Sequence, residues 1–152
     1  MRAMPDHPPR LVLDTNVALD LFVFRDAGSD HVRAALESGQ VQLVVDEVCR
    51  DEWLAVLEYP ALRLAADVRA TAMRDFDRCA QRVHALAMPE GIRLPRCADP
   101  DDQKFLELAC AAGAQWLLSK DKAVLQLARR TAREGWFQIL LPSAWRPPFT
   151  PA

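Results

Sequence analysis

Asp14 ends the apolar run "RLVL" and is followed by Thr15 and Asn16, so a carboxylate stands where a strand gives way to a helix. Asp99, Asp101 and Asp102 crowd the stretch "ADPDD" just ahead of a second helical pattern, and Asp121 follows "QWLLSK", another apolar run. The segment "VVDEVCRDEWLAVL" adds Glu52: with Trp53, Val56 and Leu57 turned to the core, Glu52 falls on a flank of its helix, away from Glu47 and Asp51.

Carboxylates gathered at a few ångströms raise one another's pKa unless they share a cation. Mg2+ or Mn2+ suits such a set, because hard ions take oxygen ligands and bind jointly to carboxylates and substrate phosphate oxygens. Ions of this kind activate water and stabilise a leaving oxygen, which makes phosphodiester hydrolysis the reaction class. Each acid also has a local explanation. Asp before a helix is a routine N-cap, and "DPDD" reads equally as a solvated turn. The combination of separate segments, each with apolar surroundings, favours the shared-cation reading.

The elements that must position these acids follow from hydrophobic period. Short Val- and Leu-rich runs alternate with longer segments of helical spacing, the pattern of an α/β protein with a parallel sheet covered by helices. The strands expected are 10–14, 41–45, 115–119 and 137–141, and the helices 15–24, 29–38, 46–58, 102–112 and one after Asp121. A long helical pattern over 61–87 is expected as one helix or two, ending at Pro89 and Gly91. Ligand sites in open parallel sheets lie beyond the carboxyl ends of the strands, where Asp14 and Asp121 are placed.

The 152 residues suit a single domain, and the formal net charge of -2 does not advertise nucleic-acid binding, which would need a local basic face or bridging cations. The four cysteines form no C-x-x-C pair and the three histidines lie far apart in sequence, against zinc and a disulfide framework. Free thiols suit a reducing cytoplasm. Residues 1–9, with three prolines, are expected to be a loose tail rather than a signal or anchor, and 146–152 a proline-rich tail. No apolar run reaches the length of a membrane span.

Three blocks, "LVLDTNVALDLF", "VVDEVCRDEWLAVLEYP" and "DPDDQKFLELACAAGAQWLLSKDKAVLQL", in this order and spacing, resemble the PIN-domain ribonucleases, and in particular the bacterial group described as toxins of toxin-antitoxin pairs. The resemblance covers residues 10–145 and implies a three-layer α/β/α sandwich with metal-dependent RNA cleavage. It assigns catalytic roles to Asp14, Glu52, Asp102 and Asp121, metal ligation to Asp14, Asp99, Asp102 and Asp121, and supporting roles to Asn16 and Ser119, the last in place of the family's usual threonine. It also implies an antitoxin partner, and homodimers are common in the family. Two positions depart from the pattern. Asp46 replaces a frequent serine, adding a carboxylate nearby, and Lys120 replaces a glycine.

RNA contacts are sought among Lys120, Arg74, Arg78 and Arg129. Arg74, Arg78 and Arg82 recur every four residues and so share one face of a helix, with Arg129, Arg130 and Arg133 on the last helix. A solvated helix face explains such stripes equally well. Trp53, Trp116 and Trp136 are expected in the core, and Trp145, among prolines, at the surface or against a partner. Two other classes compete with a nuclease. A PIN-like module that binds without cutting fits the near-neutral charge. A phosphatase of the haloacid-dehalogenase type needs a second Asp two residues after the first, where this chain has Asn16.

Overall fold

The computed structural model describes residues 7–84 and 86–148. Most of the expected N-terminal tail, the last four residues of the C-terminal one and Ala85 lie outside that range.

Five parallel strands form one sheet: β1 (Arg10–Leu13), β2 (Gln42–Val45), β3 (Ala80–Arg82), β4 (Trp116–Leu118) and β5 (Gln138–Leu140), in the order β3-β2-β1-β4-β5. Successive strand residues point to opposite faces, yet Leu11, Val12 and Leu13 are all buried, as are Leu43, Val44 and Val45. Both faces of the sheet centre are therefore covered, which gives the three-layer α/β/α arrangement. The helices are α1 (Thr15–Phe22), α2 (Asp30–Glu37), α3 (Glu47–Leu57), α4 (Ala66–Cys79), α5 (Gln103–Ala111), α6 (Lys122–Leu125) and α7 (Ala128–Arg133).

From β1 the chain winds outward to β2 and β3, then returns to β4 on the other side of β1 and continues to β5. The direction of winding thus reverses between β1 and β4. The loops leaving these two strands diverge there and open the crevice in which such sheets bind ligands. Leu13 pairs with Leu118, and the Asp14 amide donates to the Leu118 carbonyl at 3.1 Å, so the pairing runs to the first residue of the loop.

The pattern over 61–87 resolves differently from expectation. A 3-10 turn at Pro60–Leu62 precedes α4, the helix stops at Cys79, and the next three residues form β3 on the sheet edge. "AQR" has no strand signature of its own. It becomes a strand because Leu43, Val44 and Val45 of β2 offer it an open edge to pair with. Arg82 consequently leaves the helical face that carries Arg74 and Arg78. The last helical segment is also divided, into α6 and α7.

Phe22, Trp53 and Phe76 bring α1, α3 and α4 together, with ring centroids 5.0 Å apart for Trp53 and Phe76 and 5.6 Å for Phe22 and Phe76. This packing holds α3 against the end of α1, while at the start of α1 the Thr15 hydroxyl donates to Glu52. Trp53 and Trp116 are buried and Trp136 is half-buried, but Trp145 is fully buried, contrary to its expected exposure. Its ring packs edge-on against Trp116 at 5.6 Å and stacks on His31 at 6.2 Å, so the C-terminal segment closes part of the core.

Candidate functional site

Each acid reaches the site by a distinct local device. Asp14 is the N-cap of α1, accepting from the Val17 amide at 2.9 Å, in the manner expected of a carboxylate at a strand-to-helix junction. Its second oxygen accepts from the Ser119 hydroxyl. Ser119, fully buried, also accepts from the Asp121 amide at 3.0 Å and so ties together the loops after β1 and β4. Asp121 caps α6 through Ala123 N at 2.8 Å. In the acidic loop, Asp99 accepts from the Asp101 amide at 3.0 Å and starts the 3-10 turn Pro100–Asp102 that leads into α5. Gln103 fastens this loop from below, accepting from the Cys97 amide at 2.7 Å and donating to the Pro95 carbonyl at 3.2 Å.

These devices bring one oxygen from each of Asp99, Asp102 and Asp121 within 4.8 Å of the other two. Asp14, Glu52, Asp102 and Asp121 all line one cleft of about 230 Å3, together with Asn16 and Tyr59. Burial, reinforced by the facing Asp121 carboxylate and by the charges of Asp99 and Asp14, pushes the Asp102 carboxyl up to about 7. Burial also raises Asp14, against the lowering effect of hydrogen bonds from Ser119 and the Val17 and Lys120 amides. Asp102 Oδ2 is buried and has no hydrogen-bond partner among the described residues. An oxygen-only donor set, carboxylates that resist ionising beside one another and an orphaned acceptor together fit a hard divalent cation.

Glu52 is placed differently from the three clustered aspartates. One of its oxygens accepts from the Thr15 hydroxyl, and the other pairs with Lys104 Nζ at 2.9 Å. Neither Thr15 nor Lys104 is singled out by the sequence pattern. Thr15 carries a faint signal as a hydroxyl beside Asp14, whereas Lys104 meets Glu52 only because α3 and α5 pack together. Lys120 pairs with Asp20. Arg74, Arg78 and Arg129 are exposed, and none of them lines the acidic cleft. Arg78 and Arg25 both pair with Asp75, and Arg50 pairs with Asp77 at 2.8 Å.

A larger cleft of about 560 Å3 lies elsewhere, between the start of α3, the segment after β3 and α5. Its walls include Asp46, Val48, Val83 and Met88, so Asp46 joins this cleft and caps α3 through Cys49 N at 2.9 Å rather than joining the acidic site. Burial pushes the Cys49, Cys79, Cys97 and Cys110 thiols up, away from the thiolate form that reacts or binds metal. No described helix is long and apolar enough to cross a membrane.

A parallel sheet with carboxylates converging at its point of reversal is an α/β domain with its acidic site at the switch point. The chain belongs to the PIN domain family, which matches residues 10–123, a stretch that contains every acid described above. A search of the curated proteins finds no match.

The raised Asp102 makes metal-free stability depend on pH. Its folded carboxyl binds a proton more tightly than the unfolded chain, whose ordinary value is 3.8. The stabilising proton is thus fully present below about pH 4 and lost as pH rises through about 7. In chelator, the difference in Tm between wild type and Asp102→Asn should shift in favour of the variant from pH 5 to pH 8, and Mg2+ should restore the wild type at pH 8. Thermal melts at the two pH values check both statements.

Proposed function

We propose that this protein is a Mg2+- or Mn2+-dependent endoribonuclease hydrolysing RNA phosphodiester bonds. The observation that carries the reading is the convergence of Asp99, Asp102 and Asp121 around a buried, partnerless Asp102 oxygen, in a cleft shared with Asp14 and Glu52. A phosphate would be repelled from so acidic a cleft without a cation between them. Asp99, Asp102 and Asp121 would hold the ion. When bound, it supplies water activation and neutralises charge on the phosphate.

The chain's own groups prepare that site. Ser119 and the Val17 amide fix the Asp14 carboxylate toward the cleft, and Ser119 sets the Asp121 backbone at the same time. Asn16 and Tyr59 lie along the cleft, where an amide and an aromatic ring can meet a ribose or base. Cleavage of a mixed RNA pool should require added Mg2+ or Mn2+ and cease with EDTA. Cleavage unaffected by chelator would sink the metal-dependent reading.

The resemblance of the three sequence blocks supports the finer assignment as toxin of a type II toxin-antitoxin pair, with a small antitoxin as partner and a homodimer as the assembly. A short reading frame adjoining the gene, whose product suppresses growth arrest by this chain, is the expected result. Growth unaffected by expression would favour an RNA-processing nuclease outside such a pair. A non-cutting PIN module that binds RNA or protein is the second reading, favoured by the pairing of Arg25, Arg50 and Arg78 with aspartates, which leaves them less free to follow a phosphate backbone. Calorimetric Mg2+ binding that Asp121→Asn abolishes without unfolding speaks against it.

A further inference from the structure

We propose that the acidic site holds a single divalent ion, at Asp99, Asp102 and Asp121, and that the Lys104 ammonium stands beside Glu52 in place of a second ion. The inference rests on the metal-dependent reading above and specifies its stoichiometry.

The carboxylate oxygens of the cleft fall into two groups. Asp14 has both oxygens engaged, by the Val17 amide and the Ser119 hydroxyl. Glu52 also has both engaged, by the Thr15 hydroxyl and by Lys104 Nζ at 2.9 Å. The three clustered aspartates differ: Asp102 Oδ2 is buried without a partner, and the backbone donors to Asp99 and Asp121 each take one oxygen and leave the other. Unmet acceptor capacity is therefore concentrated in the trio.

An accepted hydrogen bond does not by itself exclude a metal, since a carboxylate oxygen has lone pairs to spare. What sets Glu52 apart is the formal charge of its partner. A divalent ion on the same carboxylate would sit within a few ångströms of an ammonium, and the repulsion is strong where water is partly excluded. Lys104 is not a loosely tethered surface lysine. Its side chain is only 19% exposed, its ammonium also donates to the Asp101 carbonyl, and it lies 5.1 Å from the centre of the Phe105 ring. These contacts come from α3, the acidic loop and α5, so the charge is fixed by the fold. Lysine there supplies one positive charge that needs no loading from solution, and it balances Glu52 while tying α3 to the Asp101 carbonyl of the acidic loop.

The test is a Mn2+ titration of the full chain, read by electron paramagnetic resonance and calorimetry. Wild type and Lys104→Arg should bind one ion per chain. Lys104→Met, whose unbranched side chain suits a helix, should bind a second ion at least tenfold more weakly, and adding Glu52→Gln should return it to one. Thermal melts verify that each variant is folded. Two ions in the wild type, or one in folded Lys104→Met, would overturn the proposal. No bound ion in the wild type would overturn both this and the metal-dependent nuclease reading. One bound ion without RNA cleavage would refute the nuclease reading and leave the single-ion site standing.

Discussion

Asp14→Asn lowers metal-dependent RNA cleavage by about 10³-fold or more while leaving the fold intact. The size follows from position: Asp14 lines the cleft beside Asp102 and Asp121, so its charge belongs to the field that orients the ion, its water and the phosphate, and a loss of about 4 kcal/mol there, at about 1.4 kcal/mol per tenfold in rate, amounts to roughly three orders of magnitude. The intact fold follows from what Asp14 does locally. Asparagine is as good an N-cap as aspartate, and its carbonyl oxygen can accept from the Val17 amide as the carboxylate does. Its amide can donate to Ser119 Oγ once that hydroxyl turns. The substitution also removes a carboxylate whose ionisation is opposed by burial, so the metal-free variant should melt at or above the wild-type temperature. Initial rates with Mn2+ and melts with and without it measure both halves. Activity lost together with a large fall in Tm would mean that Asp14 acts chiefly as a cap.

The parts of this molecule that were legible in the sequence are those where local chemistry and tertiary role agree. Leu11, Val12 and Leu13 read as a strand because they are apolar without alternation, and they are buried on both faces for the same reason. Asp14 and Asp121 could be placed at carboxyl ends of strands because each ends an apolar run. Sequence could not say that β1 and β4 are neighbours across the reversal of winding, and this adjacency is what lets Ser119 reach Asp14. β3 was hidden because its identity lies in its partner: Ala80, Gln81 and Arg82 are good helix formers that pair with Leu43, Val44 and Val45. Lys104 was hidden in the same way. A lysine two residues after Asp102 looks like a solvated helix position until α3 brings Glu52 to it.

Trp145 shows the opposite error, since its proline-rich surroundings suggested exposure and the fold buries it completely. Trp145→Ala should cost about 3–5 kcal/mol of stability, the range for removing a large ring from a packed interior. It follows from the contacts that Trp145 organises. The ring rests against Trp116 of β4 and against His31 of α2, and His31 Nε2 donates to the Pro142 carbonyl at 2.8 Å just upstream. Emptying this place loosens the closure of the sheet next to β4, the strand that leads into Ser119. Trp145→Phe should cost much less. It keeps an aromatic ring and removes an indole N–H that is buried without a partner among the described residues. Urea unfolding of the three proteins in chelator gives the ranking. Repeating it with Mg2+ fixed at about a hundred times its Kd for the wild type should return about 2.7 kcal/mol to each, because an ion that binds only the folded chain stabilises it by mass action. An equal return in wild type and Trp145→Ala would place Trp145 in the scaffold alone. A smaller return in the variant would mean that its packing also holds the acidic loops in binding geometry.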